Sequence, residues 1–85
     1  MGPGTAKEWN DILIEISVLS SISDPNFPRI AEAIKSFIKK HTDAIISEKN
    51  LNPKLIDLNP DKRPFNSVDD LKGWAAKVER NLHLR

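Results

Sequence analysis

Phe27-Pro28-Arg29-Ile30-Ala31-Glu32-Ala33-Ile34-Lys35-Ser36-Phe37-Ile38-Lys39-Lys40-His41-Thr42-Asp43-Ala44-Ile45 is the longest amphipathic stretch in the chain, and its reading decides the fold. Phe27, Ile30, Ile34, Phe37, His41 and Ile45 recur at steps of three and four residues, which puts them on one side of an α-helix with Ala31 and Ile38 flanking the stripe. Pro28 suits the first turn, because the N–H it lacks is one of the donors that a helix start leaves unpaired and its fixed φ is already helical. The spacing predicts a helix from about Pro28 to Ser47, roughly 30 Å long at 1.5 Å per residue. A stripe of this length needs apolar partners, and the chain offers them on both sides.

Upstream, Thr5-Ala6-Lys7-Glu8 has the spacing of a capping box, so a first helix is expected to begin at Thr5. Trp9, Ile12, Leu13, Ile16 and Leu19 form its apolar face. Ile14 and Val18 fall outside that face and predict burial on a second side. Ser23-Asp24-Pro25-Asn26-Phe27-Pro28 turns the chain between the two helices, each proline disfavouring helical dihedrals in the residue before it. Met1-Gly2-Pro3-Gly4 reads as a leader appended to a single domain over residues 5–85, and such a leader fits a segment cut from a longer protein.

Downstream, Asn52-Pro53 starts a third helix that Asn59-Pro60 stops within two turns, so that it is short or merely a turn. Residues 59–66 form a polar connector in which Phe65 is the one anchor to the core. Ser67 caps a fourth helix, with Asp69 and Asp70 at the positive end of its dipole. Val68, Leu71, Ala75, Val78 and Leu82 make its seam, with Trp74 beside it. Gly73 sits inside this helix, where close approach to a neighbour is its expected purpose. The fold expected is all-α, a small antiparallel bundle of three to four helices with a short third helix.

Composition narrows the function. Of 85 residues, 39% are hydrophobic and 29% charged, which suits a folded globular chain and excludes a disordered one. Without cysteine there is no disulfide, thiolate metal site or thiol nucleophile. His41 and His83 are the only imidazoles, and neither has a metal-ligating partner three or four residues away. His41 continues the apolar stripe and reads as a half-buried boundary residue, and His83 as a frayed helix end. Neither catalysis, a metal nor a cofactor is expected. No apolar run approaches the roughly 20 residues of a membrane span. With a net charge of +1 there is no overall field to draw the chain onto phosphate.

The charge is unevenly placed. Acids predominate before Pro25, whereas Lys62, Arg63, Lys72, Lys77, Arg80 and Arg85 make the C-terminal part basic. Phe65, Lys72, Trp74, Lys77, Arg80 and Arg85 are therefore the candidate residues for binding another protein, Trp74 serving either the core or the interface. A second reading is a nucleic-acid-binding accessory domain that uses Arg29, Lys35, Lys39 and Lys40. Against it, Glu32 and Asp69 stand three residues from neighbouring cations and dilute the basic strips. A third reading is an excised docking or regulatory domain of a larger protein.

Asp24-Pro25-x-Phe27 leading into Ile30-x-Glu32-x-Ile34, then Leu51-Asn52-Pro53 followed by Leu55-Ile56, resembles the enterocin A type of bacteriocin immunity protein over about residues 12–58. The resemblance implies a small antiparallel four-helix bundle and a cytoplasmic, non-enzymatic role. In that role the protein protects a bacteriocin producer by engaging the membrane receptor and its bacteriocin from inside, and the C-terminal half sets specificity. The family has a full third helix, which Pro60 and Pro64 shorten here. The surface carried over is the last helix with Lys77, Arg80 and Arg85.

Overall fold

Proline and the helix-capping groups set the element boundaries in a computed structural model that describes residues 2–62 and 64–84. Three α-helices result, α1 (Pro3–Ser17), α2 (Phe27–Lys49) and α3 (Val68–Leu82), with one 3-10 turn at Pro53–Leu55. There is no strand among the described residues. The chain is all-helical, and the short third helix of the sequence pattern is this single turn.

The start of α1 differs from the capping-box expectation. Gly2 occupies the cap position with extended dihedrals and Pro3 follows it in the first turn. The carbonyl of Gly2 accepts from the amides of Thr5 (3.1 Å) and Ala6 (3.3 Å). Pro3 has its φ already set for a helix, so helix begins two residues before Thr5 and takes in part of the segment read as a leader. At the other end the Ser17 hydroxyl donates to Ile14 O (2.6 Å), and the chain leaves the helix at Val18.

Asp24 makes the next turn. Its carboxylate accepts from the Asn26 amide (2.9 Å) and its carbonyl from the Phe27 amide (2.9 Å), which delivers the chain into α2. Both α2 and α3 end on a non-glycine residue in the left-handed region, Asn50 (φ 54°) and His83 (φ 54°). In each case the following leucine turns its amide back into the helix, Leu51 to Ile46 O and Leu84 to Glu79 O, both at 3.0 Å. His83 is thus an ordered cap, not a frayed end. The Lys49 ammonium adds to it by donating to the carbonyls of Leu82 (3.2 Å) and His83.

The apolar stripes meet as their spacing requires. Trp9, Ile12 and Ile16 of α1 and Leu71, Val78 and Leu82 of α3 are buried against α2, whose Ile34 and Phe37 are fully enclosed. Trp9 packs on Phe37 with ring centroids 4.9 Å apart. Each such side chain contributes about 1.5–3 kcal/mol on burial. Glu15 meets Arg29 near the start of α2 and Glu8 meets Lys40 and His41 further along, so these contacts run in opposite order on the two helices. α2 and α3 differ. Lys49 at the end of α2 caps the end of α3, and Phe65, just before α3, packs on Phe27 at the start of α2 (5.5 Å). The last helix therefore runs alongside α2 in the same sense, contrary to the expected antiparallel or oblique packing, because the chain first returns along the bundle, with Asp61 beside Lys35 and Phe65 beside Phe27.

Two local expectations are overturned. Ile14 (56% exposed) and Val18 (75%) face solvent, with nothing among the described residues covering them. At Gly73 a Cβ would meet nothing within 4 Å, so this glycine serves no close helix approach.

Candidate protein interface

Residues spaced by three and four lie on one side of a helix, and in α3 that spacing builds a strap. Trp74, Lys77 and Asn81 hold the connector at Asp57 and Leu58. The Trp74 indole N–H donates to Leu58 O (2.6 Å), the Lys77 ammonium to Asp57 Oδ2 (2.8 Å), and the Asp57 amide to Asn81 Oδ1 (2.9 Å). Asn81 also donates from Nδ2 to Lys77 O (2.9 Å), which fixes its amide plane. At the head of the connector the Asn52 side chain accepts from the Lys54 amide (3.1 Å) and starts the 3-10 turn.

A one-turn helix cannot bury both Leu55 and Ile56. Ile56 turns inward and packs on the core, while Leu55 is left 75% exposed. The strap thus leaves a notch of about 290 Å³ between the turn and the end of α3, lined by Leu51, Leu55, Ile56, Arg80, Asn81 and His83. Arg80 and Lys54 are exposed and make no ion pair among the described residues.

The residues expected at an interface do not all meet here. Arg80 forms a wall of the notch, and Lys77 stands behind it in its pair with Asp57. Lys72 lies apart, in a groove between α1 and α3 with Leu13, Ile16 and Ala76. Trp74 is buried, and Phe65 is half-buried between it (5.5 Å) and Phe27, so both aromatics belong to the core and neither is an exposed anchor. Arg85 lies outside the described residues. Leu55 and Asn81 were missed. The signal for Leu55 was two adjacent aliphatics on a turn that offers one inward position, and for Asn81 its register with Trp74 and Lys77.

The basic strip of α2 is largely neutralised. Arg29 pairs with Glu15 (3.0 Å), Lys35 with Asp61 (3.7 Å) and Lys40 with Glu8 (2.9 Å), which leaves Lys39 alone of the four without an ion pair among the described residues. His41 is half-buried, as its place in the stripe required, and its Nε2 lies 2.9 Å from Glu8. Partial burial pushes the Glu8 carboxyl up, but hydrogen bonds and charge from Lys40 and His41 outweigh it, and the carboxyl titrates below its ordinary value. At the head of α3 the Asp70 carboxyl is also held low, by the Asn66 amide and then by Lys62.

Among the described residues no three His, Asp or Glu side chains gather as a metal ion would need, and no helix is long and apolar enough to cross a membrane. No family model, curated protein or solved structure matches the chain.

Proposed function

We propose that this chain is a non-enzymatic helical module that binds another protein through the notch formed by the 3-10 turn and the end of α3. Its most concrete form is a cytoplasmic immunity protein that engages a membrane receptor complex from inside. One observation carries the reading: Leu55 is three-quarters exposed beside Arg80, on a connector that α3 holds in place. An aliphatic side chain fixed in water beside a cation without a salt bridge is what a small interface offers, an apolar centre with a charged rim. The ion pairs on Arg29, Lys35 and Lys40 count against nucleic acid as the partner. A docking domain of a larger protein would use the same surface.

The test is capture of proteins from a bacterial lysate on the immobilised wild-type chain, on Leu55→Asp, and on an Ile14→Asp/Val18→Asp double variant. All three substitutions fall on exposed positions and leave helicity unchanged by circular dichroism. Proteins held by wild type and by the double variant, but lost from Leu55→Asp, are the expected result. Equal retention by Leu55→Asp would remove the notch from the account.

A further inference from the structure

We infer that the partner of the notch is an acidic segment of another protein, presenting a leucine-like side chain flanked by carboxylates. This rests on the reading of the notch as a protein interface and adds the chemistry of what enters it.

At about 290 Å³ and open to solvent, this notch has room for one or two anchoring side chains. Leu51, Leu55 and Ile56 supply an apolar seat. Charge then sets the sign of the rim. Arg80 stands on one wall, and Lys54 precedes Leu55 in the turn without lining the notch; both are without an ion pair among the described residues. Asp57, the acid nearest Leu55 in sequence, is already bound to Lys77 and cannot neutralise either of them. Lys49 is committed to the carbonyls that end α3. The complement of this surface is a carboxylate, which a guanidinium grips through two parallel N–H bonds.

Arg80 is also well placed to act. It stands on the same helix as Asn81, whose side chain is steadied by Lys77 O and accepts from the Asp57 amide of the connector, so the seat and the cation are held in one geometry before anything binds. Less ordering is then required on association. A run of phosphates would need further free cations in a row and exposed aromatics for stacking. Trp74 and Phe65 are both turned into the core.

The test is a titration of the isotopically labelled full chain, followed by amide chemical shifts. The probes are a short synthetic peptide with two leucines among glutamates, the same peptide with lysines for glutamates, the same with alanines for leucines, and a single-stranded oligonucleotide. The glutamate–leucine peptide should move the amides of residues 51–56 and 80–84 and saturate. Both altered peptides should bind at least about tenfold more weakly, the scale of a lost charge-assisted hydrogen bond. Arg80→Glu should weaken the acidic peptide by a similar factor and strengthen the lysine peptide, an inversion that a merely structural role would not give. Arg80→Gln should lose the first effect without the second, and the spectra themselves report that each variant is folded. Equal binding of the lysine peptide, stronger binding of the oligonucleotide, shifts that depend on protein concentration alone, or no shift at about 1 mM peptide would each overturn the inference. Peptide failure with lysate capture still dependent on Leu55 removes the acidic partner and keeps the interface, whereas loss of that dependence removes both.

Discussion

Two of the seams in this molecule, α1 on α2 and the connector on α3, are built from different materials. Between α1 and α2 the aliphatic core is flanked by ion pairs that reach across the helices, Glu15 to Arg29 and Glu8 to Lys40 and His41. Between α3 and the connector the fastening is mostly hydrogen bonds to backbone, from the Trp74 indole to Leu58 O and from the Asp57 amide to Asn81, with Lys77 to Asp57 outside them. Two regular helices need only matching stripes, and charges at the margin refine the fit at little net gain. An irregular strand of chain has backbone donors and acceptors of its own to satisfy, and only side chains directed at those atoms can hold it. The second seam therefore fixes a shape, and the notch is a by-product of it.

The largest expected effect comes from breaking the second seam at its buried end. Trp74→Ala removes an indole packed on Phe65 and leaves the Leu58 carbonyl without its donor. Truncating a buried tryptophan costs about 3–5 kcal/mol, which equals the whole stability a core of this size supplies, so the variant should be largely unfolded at room temperature. Circular dichroism against urea measures it. A loss under about 1 kcal/mol would mean that Trp74 is not a structural member of the seam.

The two seams also differ in how visible they are in the sequence. The helices announce themselves: the steps of three and four in α1, α2 and α3 bury most of the residues they single out and leave Leu13, His41 and Val68 half-buried, and Asn52 and Ser67 cap where their side chains allow. Ile14 and Val18 mislead, because their apolarity predicts burial on a second side and both face solvent. Trp74 was ambiguous between core and surface until its partner was known. That partner is a carbonyl, and every residue has one, so no residue type marks it. The direction of α3 was hidden for a related reason, since the path of residues 50–67 depends on Asp57 finding Asn81 across an interval that carries no periodic signal.

Gly73 offers an intermediate effect that touches neither seam. It lies within α3 one residue before Trp74, its added Cβ would point into open space, and its φ is not positive. Gly73→Ala should therefore stabilise the domain by about 0.5–1 kcal/mol, through helix propensity and a less mobile unfolded chain. The check is the urea midpoint at constant slope. A destabilised Gly73→Ala would show that this face of α3 is packed against something, which would change the description of the strap beside it.

The first seam should respond least at neutral pH and should show itself in acid. The Glu8 carboxyl is held below its ordinary 4.5 by Lys40 and His41, so the folded chain binds a proton there less readily than the unfolded chain does. Its contribution is fully present above the unfolded value and is lost as pH falls through the lower folded one. Glu8→Gln removes that dependence: its stability should fall less steeply than that of wild type as pH drops below 4.5, while at pH 7 the two differ little because the group is partly exposed and screened. Added salt should narrow the neutral-pH difference further, since a charge pair at the surface weakens within a Debye length of about 8 Å at physiological ionic strength. The Trp74 and Asn81 bonds of the strap carry no titrating group. Parallel acid limbs for wild type and Glu8→Gln would mean that the Glu8 pairs add nothing to the seam, and that the apolar stripes and the Glu15–Arg29 pair hold α1 to α2 without them.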